Sequence, residues 1–246
     1  VCLLMISKVV FKKIKFNNIN PHKFNKYIYK NGLFVFPAGP ALANIEKSKA
    51  YYNSLQNADF VFFDSGLFVL LLRIFKKIKI YKFSGYKFLY LFFEYLKKNK
   101  SKSIFSIDPN LNFSKSNYEY FNNLGIKKVS NYLAPKYNPK KLVDKNLLNL
   151  IRKKKPNFII INIGGGVQEV LGLYLKRKLK FKVSILCTGG AISFFTGDQA
   201  PINNFIDKFY LGWLIRFFYN PLIFFKRYLV GLRLIPMVIY NKIKVI

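Results

Sequence analysis

Ten carboxylates are all that this 246-residue chain offers for acid and base chemistry, set against 42 lysines and arginines and one histidine. Glu94, Glu119 and Asp144 fall in or beside amphipathic helical stretches, where they read as solvated partners of lysines. Asp59 opens an apolar strand, which puts it at the end of a parallel sheet away from ligands. Of the six that remain, Asp64, Asp108, Glu169 and Asp198 lie at strand ends or in glycine loops. Asp64 is the strongest candidate for a general base, because it directly ends the run Phe60-Val61-Phe62-Phe63 and precedes Ser65-Gly66. Its alternative role is to cap the helix that follows.

Two glycine clusters complete the chemical inventory. Gly164-Gly165-Gly166 and Gly189-Gly190 allow backbone N–H groups to approach a phosphate at a helix N-terminus. Neither has the G-x-G-x-x-G spacing or the Lys-Ser/Thr of a P-loop, so dinucleotide binding and NTP hydrolysis are not supported. The chain contains no D-x-D and no His/Cys/Asp cluster with ligand spacing, so neither a divalent metal nor another cofactor is implied. His22, beside Pro21, would have to supply any histidine-based triad, and a lone loop histidine reads more simply as structural or solvated.

The elements that position these groups are organised around Asn157 to Glu169, N-F-I-I-I-N-I-G-G-G-V-Q-E. An apolar run too continuous to alternate, stopped by three glycines, predicts a strand buried on both faces that ends in a turn with exposed backbone. The same grammar recurs where residues 60–63 run into Asp64-Ser65-Gly66 and where Val183 to Cys187 runs into Thr188-Gly189-Gly190-Ala191. Ligands of open α/β sheets sit at the carboxyl ends of strands. If these strands are neighbours, Asp64, Gln168, Glu169 and the Thr188 to Ala191 loop converge on one crevice; the sequence does not order them.

Strands are also expected at Leu33 to Phe36, Ser103 to Ile107 and from Lys127-Lys128-Val129, with a short strand or hairpin from Val9-Val10-Phe11 and Ile14-Lys15-Phe16. Helices are expected over Ala41 to Leu55, Gly66 to Ile74 (apolar enough to be buried), Tyr86 to Lys97, Asn117 to Leu124 and Leu142 to Lys153, with a basic turn and strand edge at Lys76 to Lys82. The alternation predicts an α/β fold over residues 1–204, a Rossmann-like, mostly parallel sheet with helices on both faces. From 205 to 246 apolar and aromatic residues are interrupted by Lys208, Arg216, Lys226, Arg227, Arg233, Lys242 and Lys244, which predicts a basic, helical C-terminal appendage able to meet an anionic membrane surface.

A net charge of +32 points to anionic partners. Abundant Lys, Asn, Ile, Phe and Tyr together are what codon bias in an AT-rich genome produces, so arginine is more informative. Of six arginines, Arg216, Arg227 and Arg233 lie in the last 31 positions, where a planar bidentate donor suits phosphate. Two cysteines with no C-x-x-C fit a reducing cytoplasm. The first residues, V-C-L-L-M-I-S-K, hold too short an apolar run for a secretory signal, and no stretch approaches the roughly 18 apolar residues of a spanning helix.

The ordered set Ala58-Asp59-Phe60-Val61-Phe62-Phe63-Asp64, Gly164-Gly165-Gly166-Val167-Gln168-Glu169, Gly189-Gly190-Ala191, Leu211-Gly212-Trp213-Leu214-Ile215-Arg216 and Lys226-Arg227-Tyr228-Leu229-Val230-Gly231 resembles the WecG/TagA/CpsF glycosyltransferases. The resemblance implies transfer of a sugar, typically N-acetylmannosamine from its UDP donor, to a polyprenyl-diphosphate-linked acceptor at the cytoplasmic membrane face. It implies inversion without a metal, with Asp64 as base, Gln168 in the polar position of the glycine motif, and Arg216, Lys226, Arg227 and Arg233 on the closing appendage. The sequence departs from the family pattern at the pocket: Pro37-Ala38-Gly39-Pro40 stands for T-x-N-P, Lys82-Phe83-Ser84-Gly85 for R-V-x-G, Gly166-Val167 for proline and lysine, Ile192-Ser193 for F-D, and Gln199 for an arginine. These positions bear on which donor is taken. The competing readings are an inactive relative and a nonspecific polyanion or membrane binder. Nucleic acid is disfavoured, since no RNP, KH or helix-turn-helix pattern occurs. An exposed aromatic face leaves room for a homo-oligomer.

Overall fold

Short apolar runs with no polar alternation need cover on both faces, and the chain supplies it with a sheet sandwiched between two helical layers. The computed structural model describes residues 7–199, 218 and 221–246. Nine strands are paired in it: β1 (Lys8–Phe11), β2 (Ile14–Asn17), β3 (Gly32–Val35), β4 (Phe60–Phe62), β5 (Ile104–Asp108), β6 (Val129–Leu133), β7 (Phe158–Ile161), β8 (Ser184–Cys187) and β9 (Ile243–Val245). Their order is β6-β5-β7-β8-β3-β4-β2-β1-β9. Every pairing from β6 through β2 is parallel, whereas β1 is antiparallel to both β2 and β9. The sequence reading of an α/β, mostly parallel sheet holds.

Alternate side chains along each strand enter two separate cores. Leu33, Val35, Val61, Phe63, Ile107, Ile159, Ile161 and Ile185 face one layer, built by α3 (Lys49–Gln56), α4 (Gly66–Lys76), α7 (Lys145–Lys154), α8 (Val167–Lys178) and α11 (Leu234–Tyr240). Phe34, Phe36, Phe62, Ile104, Phe158, Ile160 and Leu186 face the other, built by α1 (Asn25–Ile28), α5 (Gly85–Lys98) and α6 (Leu111–Asn123). The second core absorbs much of the aromatic excess: Phe36 stacks on Phe62 at 4.8 Å, and Phe83 meets Phe62 edge-on at 5.4 Å. Such pairs add about 0.5–1.5 kcal/mol each beyond the area they bury. The aromatic stripe of α5 is therefore core, with Tyr86, Phe93 and Leu96 buried.

Three expected elements come out differently. The helix expected over Ala41 to Leu55 is broken into α2 (Gly39–Leu42), a 3-10 turn at Ile45–Lys47 and α3. Ser48 restarts it by accepting a hydrogen bond from the Tyr51 N–H, as a helix cap does. α4 is buried on one side only, with Leu70, Ile74 and Phe75 exposed. No strand forms at 76–82; Lys77 takes a left-handed conformation that ends α4. The hairpin forms as expected, its two-residue turn carried by Lys12 and Lys13 at φ 46° and 62°.

The chain end returns to the sheet. α10 (Pro221–Gly231) packs on α2, α11 packs on α4, Leu234 and Val238 are fully buried in the first core, and β9 lengthens the sheet beyond β1. The strand at the end departs from the all-helical expectation for this region.

Candidate active site

The order β7-β8-β3-β4 sets four strand ends side by side, so the loops after them share one crevice. Asp64 leaves β4 half-buried, and its Oδ1 accepts the Gly85 N–H at 2.9 Å. Gly85 opens the 14-residue α5, so the carboxylate sits at a helix N-terminus, where the macrodipole favours its charged form. The neighbouring Ser65 takes the capping role, accepting the Phe68 N–H at 3.2 Å to start α4. Asp64 does not cap that helix. Lys82, half-buried, immediately precedes Phe83, whose N–H donates to the Phe63 carbonyl at 2.9 Å and ties this loop to the end of β4.

Across the crevice, β7 runs out through Asn162 and Ile163 into the glycine loop. A Cβ placed on Gly164, Gly165 or Gly166 would meet nothing within 4 Å, so this backbone borders open space. Gly166 has φ +93°, a conformation that suits glycine, and α8 begins at the next residue. Packing places α8 tightly on the sheet: a side chain at Gly172 would strike Leu33 at 2.6 Å and the Cys187 Sγ at 2.8 Å.

Gln168 and Glu169, in the first turn of α8, are both buried. Glu169 accepts the Gly166 N–H at 2.7 Å and the Gln168 Nε2 at 3.1 Å. Burial pushes its carboxyl up to about 7; hydrogen bonds from its own backbone N–H, the Gly166 N–H and the Gln168 side chain oppose the rise, and the charge of Asp64 adds to it. Glu169 is therefore a fixed structural carboxyl under the crevice floor, while Asp64 is the more open of the two. Gln168 also lies against the β8 loop, its Nε2 being 3.3 Å from where a Cβ of Gly189 would stand. Thr188 is buried beside it, and its carbonyl lies 3.5 Å from where a Cβ of Gly85 would stand. Gly190 faces Gln199 in the same way at 3.0 Å. The structure thus brings together Asp64, Gly85, Gln168, Glu169, Thr188, Gly189 and Gly190.

The loop after β3 lies between the β8 and β4 loops. A Cβ on Gly39 would lie 2.8 Å from the Ser65 hydroxyl and 3.7 Å from Leu234 of α11, so the C-terminal helices sit against the β3 and β4 loops. Lys226 and Arg227 are exposed on α10, alongside the exposed Leu222, Phe225 and Leu229. Arg233 donates to the Asn44 side chain at 3.2 Å, an anchor of the C-terminal helices that nothing in the local sequence signalled. Arg216 lies outside the described residues.

Two of the carboxylates behave differently from their sequence reading. Asp144 is no solvated partner of lysines: it is buried, caps α7 through the Leu147 N–H at 2.8 Å, and accepts both the Tyr132 and Tyr137 hydroxyls at 2.8 and 2.7 Å. Burial and this carboxylate push the Tyr132 phenol up to about 12. Asp108 is fully buried among Ser106, Asn117, Asn131 and Asn162, all of which donate to it, so no substrate reaches it as it stands. Asp198 accepts from Ser116 and Thr196, joining α6 to α9 (Ser193–Thr196), the short helix after β8.

A cleft of about 810 Å³ opens beside Tyr132, Tyr137 and Asp144, at the β6 edge. Its only carboxylate is spent on the two tyrosines and the helix cap, so it offers no base. β6 and β4 are five strand positions apart, roughly 24 Å, which separates this cleft from Asp64.

Comparison with known proteins bears on what this crevice does. A family model described as glycosyl transferase WecG/TagA/CpsF family matches residues 9–245. No curated protein sequence matches the chain.

Proposed function

The chain belongs to the WecG/TagA/CpsF family of glycosyltransferases, and we propose that it moves a hexose, N-acetylmannosamine or a close relative, from a UDP-sugar to a polyprenyl-diphosphate-linked acceptor in cell-surface polysaccharide assembly. The observation that carries this reading is one carboxylate, Asp64, which accepts the Gly85 N–H and is placed in the same crevice as the open backbone at Gly164 to Gly166. A transfer between diphosphate-bearing substrates needs those two features: a base for the acceptor hydroxyl and a donor surface for the leaving diphosphate.

The step is a direct displacement. Asp64 takes the proton of the acceptor hydroxyl as its oxygen attacks the anomeric carbon from the face opposite the nucleotide. The bond from the anomeric carbon to the diphosphate oxygen breaks, UDP leaves with the electron pair, and the configuration inverts. The N-terminus of α8 and its glycine loop favour the negative charge that develops on the leaving group. Lys82, Lys226 and Arg227 add positive charge.

No described helix is long and apolar enough to cross a membrane. The exposed apolar side chains of α10, interleaved with Lys226 and Arg227, support peripheral attachment to an anionic cytoplasmic membrane face, where a polyprenyl-linked acceptor would be presented. Thermal melting with UDP, a panel of UDP-sugars and short RNA, at two salt concentrations, tests the reading. Stabilisation by UDP or one UDP-sugar at both salts is expected. A shift with RNA alone that fades at high salt would instead mark a nonspecific polyanion binder.

A further inference from the structure

Three buried polar atoms beneath the crevice have no hydrogen-bond partner among the described residues: the Tyr51 hydroxyl, Gln168 Oε1 and Thr188 Oγ1. Tyr51 is the most telling. It sits in the core on α3, which packs against α8, with 2% of its surface exposed. A buried hydroxyl with no partner destabilises the folded chain relative to phenylalanine, which has the same shape without it. The oxygen is thus a cost in the free protein, and it finds its use in another state of the site.

The neighbouring groups identify that use. The charges that bear on the Tyr51 phenol are those of Glu169 on α8, Asp64 after β4 and Cys187 on β8. Cys187 already donates to the Gln168 carbonyl at 3.4 Å, and Asp64 is held by Gly85. Glu169 is held by the Gln168 amide, by its own backbone N–H and by the Gly166 N–H. That N–H heads α8 beside open space and is a group an incoming diphosphate would take. It cannot serve both acceptors at full strength, and a buried carboxylate that loses a donor is costly.

We propose that Tyr51 is a positioning residue held in reserve: when a diphosphate draws the Gly166 N–H away from Glu169, the Tyr51 hydroxyl donates to the Glu169 carboxylate in its place. The exchange keeps Glu169 partnered in both states. Burial, and then the charges of Glu169, Asp64 and Cys187, raise the phenol well above its ordinary value, so it keeps the proton that it must donate. The inference rests on the crevice taking a diphosphate, as in the proposed function, and not on the identity of nucleotide or sugar.

Tyr51→Phe removes one oxygen and leaves the packing intact. The full chain and this variant are compared by thermal melting alone and by titration with inorganic pyrophosphate and with UDP. The variant is expected to melt at or above the temperature of the parent when free, and to bind pyrophosphate about tenfold more weakly. Tyr52→Phe is the control from the same helix: the Tyr52 hydroxyl donates to the Lys12 carbonyl at 2.8 Å, so its loss should lower the melting temperature and leave pyrophosphate affinity unchanged. Equal pyrophosphate affinity in Tyr51→Phe and parent overturns the proposal. So does a free Tyr51→Phe that melts clearly below the parent, which would mean the hydroxyl is already partnered, and so does a parent that binds no pyrophosphate. Pyrophosphate binding without UDP binding counts against the nucleotide-sugar reading alone, and the Tyr51 comparison is then decided on pyrophosphate.

Discussion

Asp64 and Asp108 are written in the same grammar, an apolar strand that ends in an aspartate followed by turn residues, and the fold gives them opposite fates. Asp64 emerges half-buried between β4 and α5, where it accepts a backbone N–H from Gly85. Asp108 is fully buried at the end of β5, its oxygens taken by Ser106, Asn117, Asn131 and Asn162. Burial raises its pKa from the usual carboxylate value, and the hydrogen bonds from Asn162, Ser106, Asn117 and Ser114 work against that rise. The difference teaches that a strand-end carboxylate becomes available for catalysis only where the surrounding elements leave it open to the crevice. Asp108 instead ties β5, β6, β7 and α6 together and steadies Asn162, two residues before the glycine loop.

The two sites should therefore separate under mutation. Asp64→Asn is expected to lower transfer about 10²- to 10⁴-fold, the range of a general base, with the melting temperature little changed; an assay of transfer to a polyprenyl-diphosphate acceptor checks it. Asp108→Ala should do the reverse, costing on the order of 3 kcal/mol in urea unfolding because four donors lose their buried acceptor. If Asp108→Ala proves as stable as the parent, the hub role assigned to it is wrong.

Glu169 sharpens the comparison from beneath the crevice. Its carboxyl is raised to about 7 when folded, above its ordinary value of 4.5, so the folded chain holds the proton more tightly than the unfolded one. Its contribution to stability is thus fully present below about pH 4.5 and lost as pH rises through about 7, an effect of up to about 3 kcal/mol. Glu169→Gln should flatten that part of the stability profile in urea melts taken from pH 4.5 to 8. Asp144→Ala, which removes a helix cap and the acceptor of two tyrosine hydroxyls, should cost about 2 kcal/mol without altering nucleotide binding, as read by calorimetry.

Much of the fold was legible in the chain because its strongest signals are local. The run Phe158 to Ile161 into three glycines, the hairpin of β1 and β2 and the aromatic face of α5 follow from side-chain periodicity and turn chemistry alone. The broken helix between Pro40 and Leu55 was missed because its apolar spacing outweighed Asn44 and Ser48, which stop and restart the chain. Asp144 was misread because its partners, Tyr132 and Tyr137, belong to the preceding strand and loop, and only the turn between them and α7 brings their hydroxyls to one oxygen.

By itself the sequence determined an α/β chain with carboxylates and glycines at strand ends, and enough motif order to place it in a glycosyltransferase family. Only the tertiary structure decided which strand ends are neighbours, because β3, β4, β7 and β8 are joined by long crossovers whose order no local pattern encodes. It also decided which carboxylate stays open. Periodicity records which face of an element is apolar, while the hydrogen bonds that bury Asp108, lift Glu169 and anchor Asp64 come from residues distant in sequence, and burial magnifies whatever those residues supply or withhold.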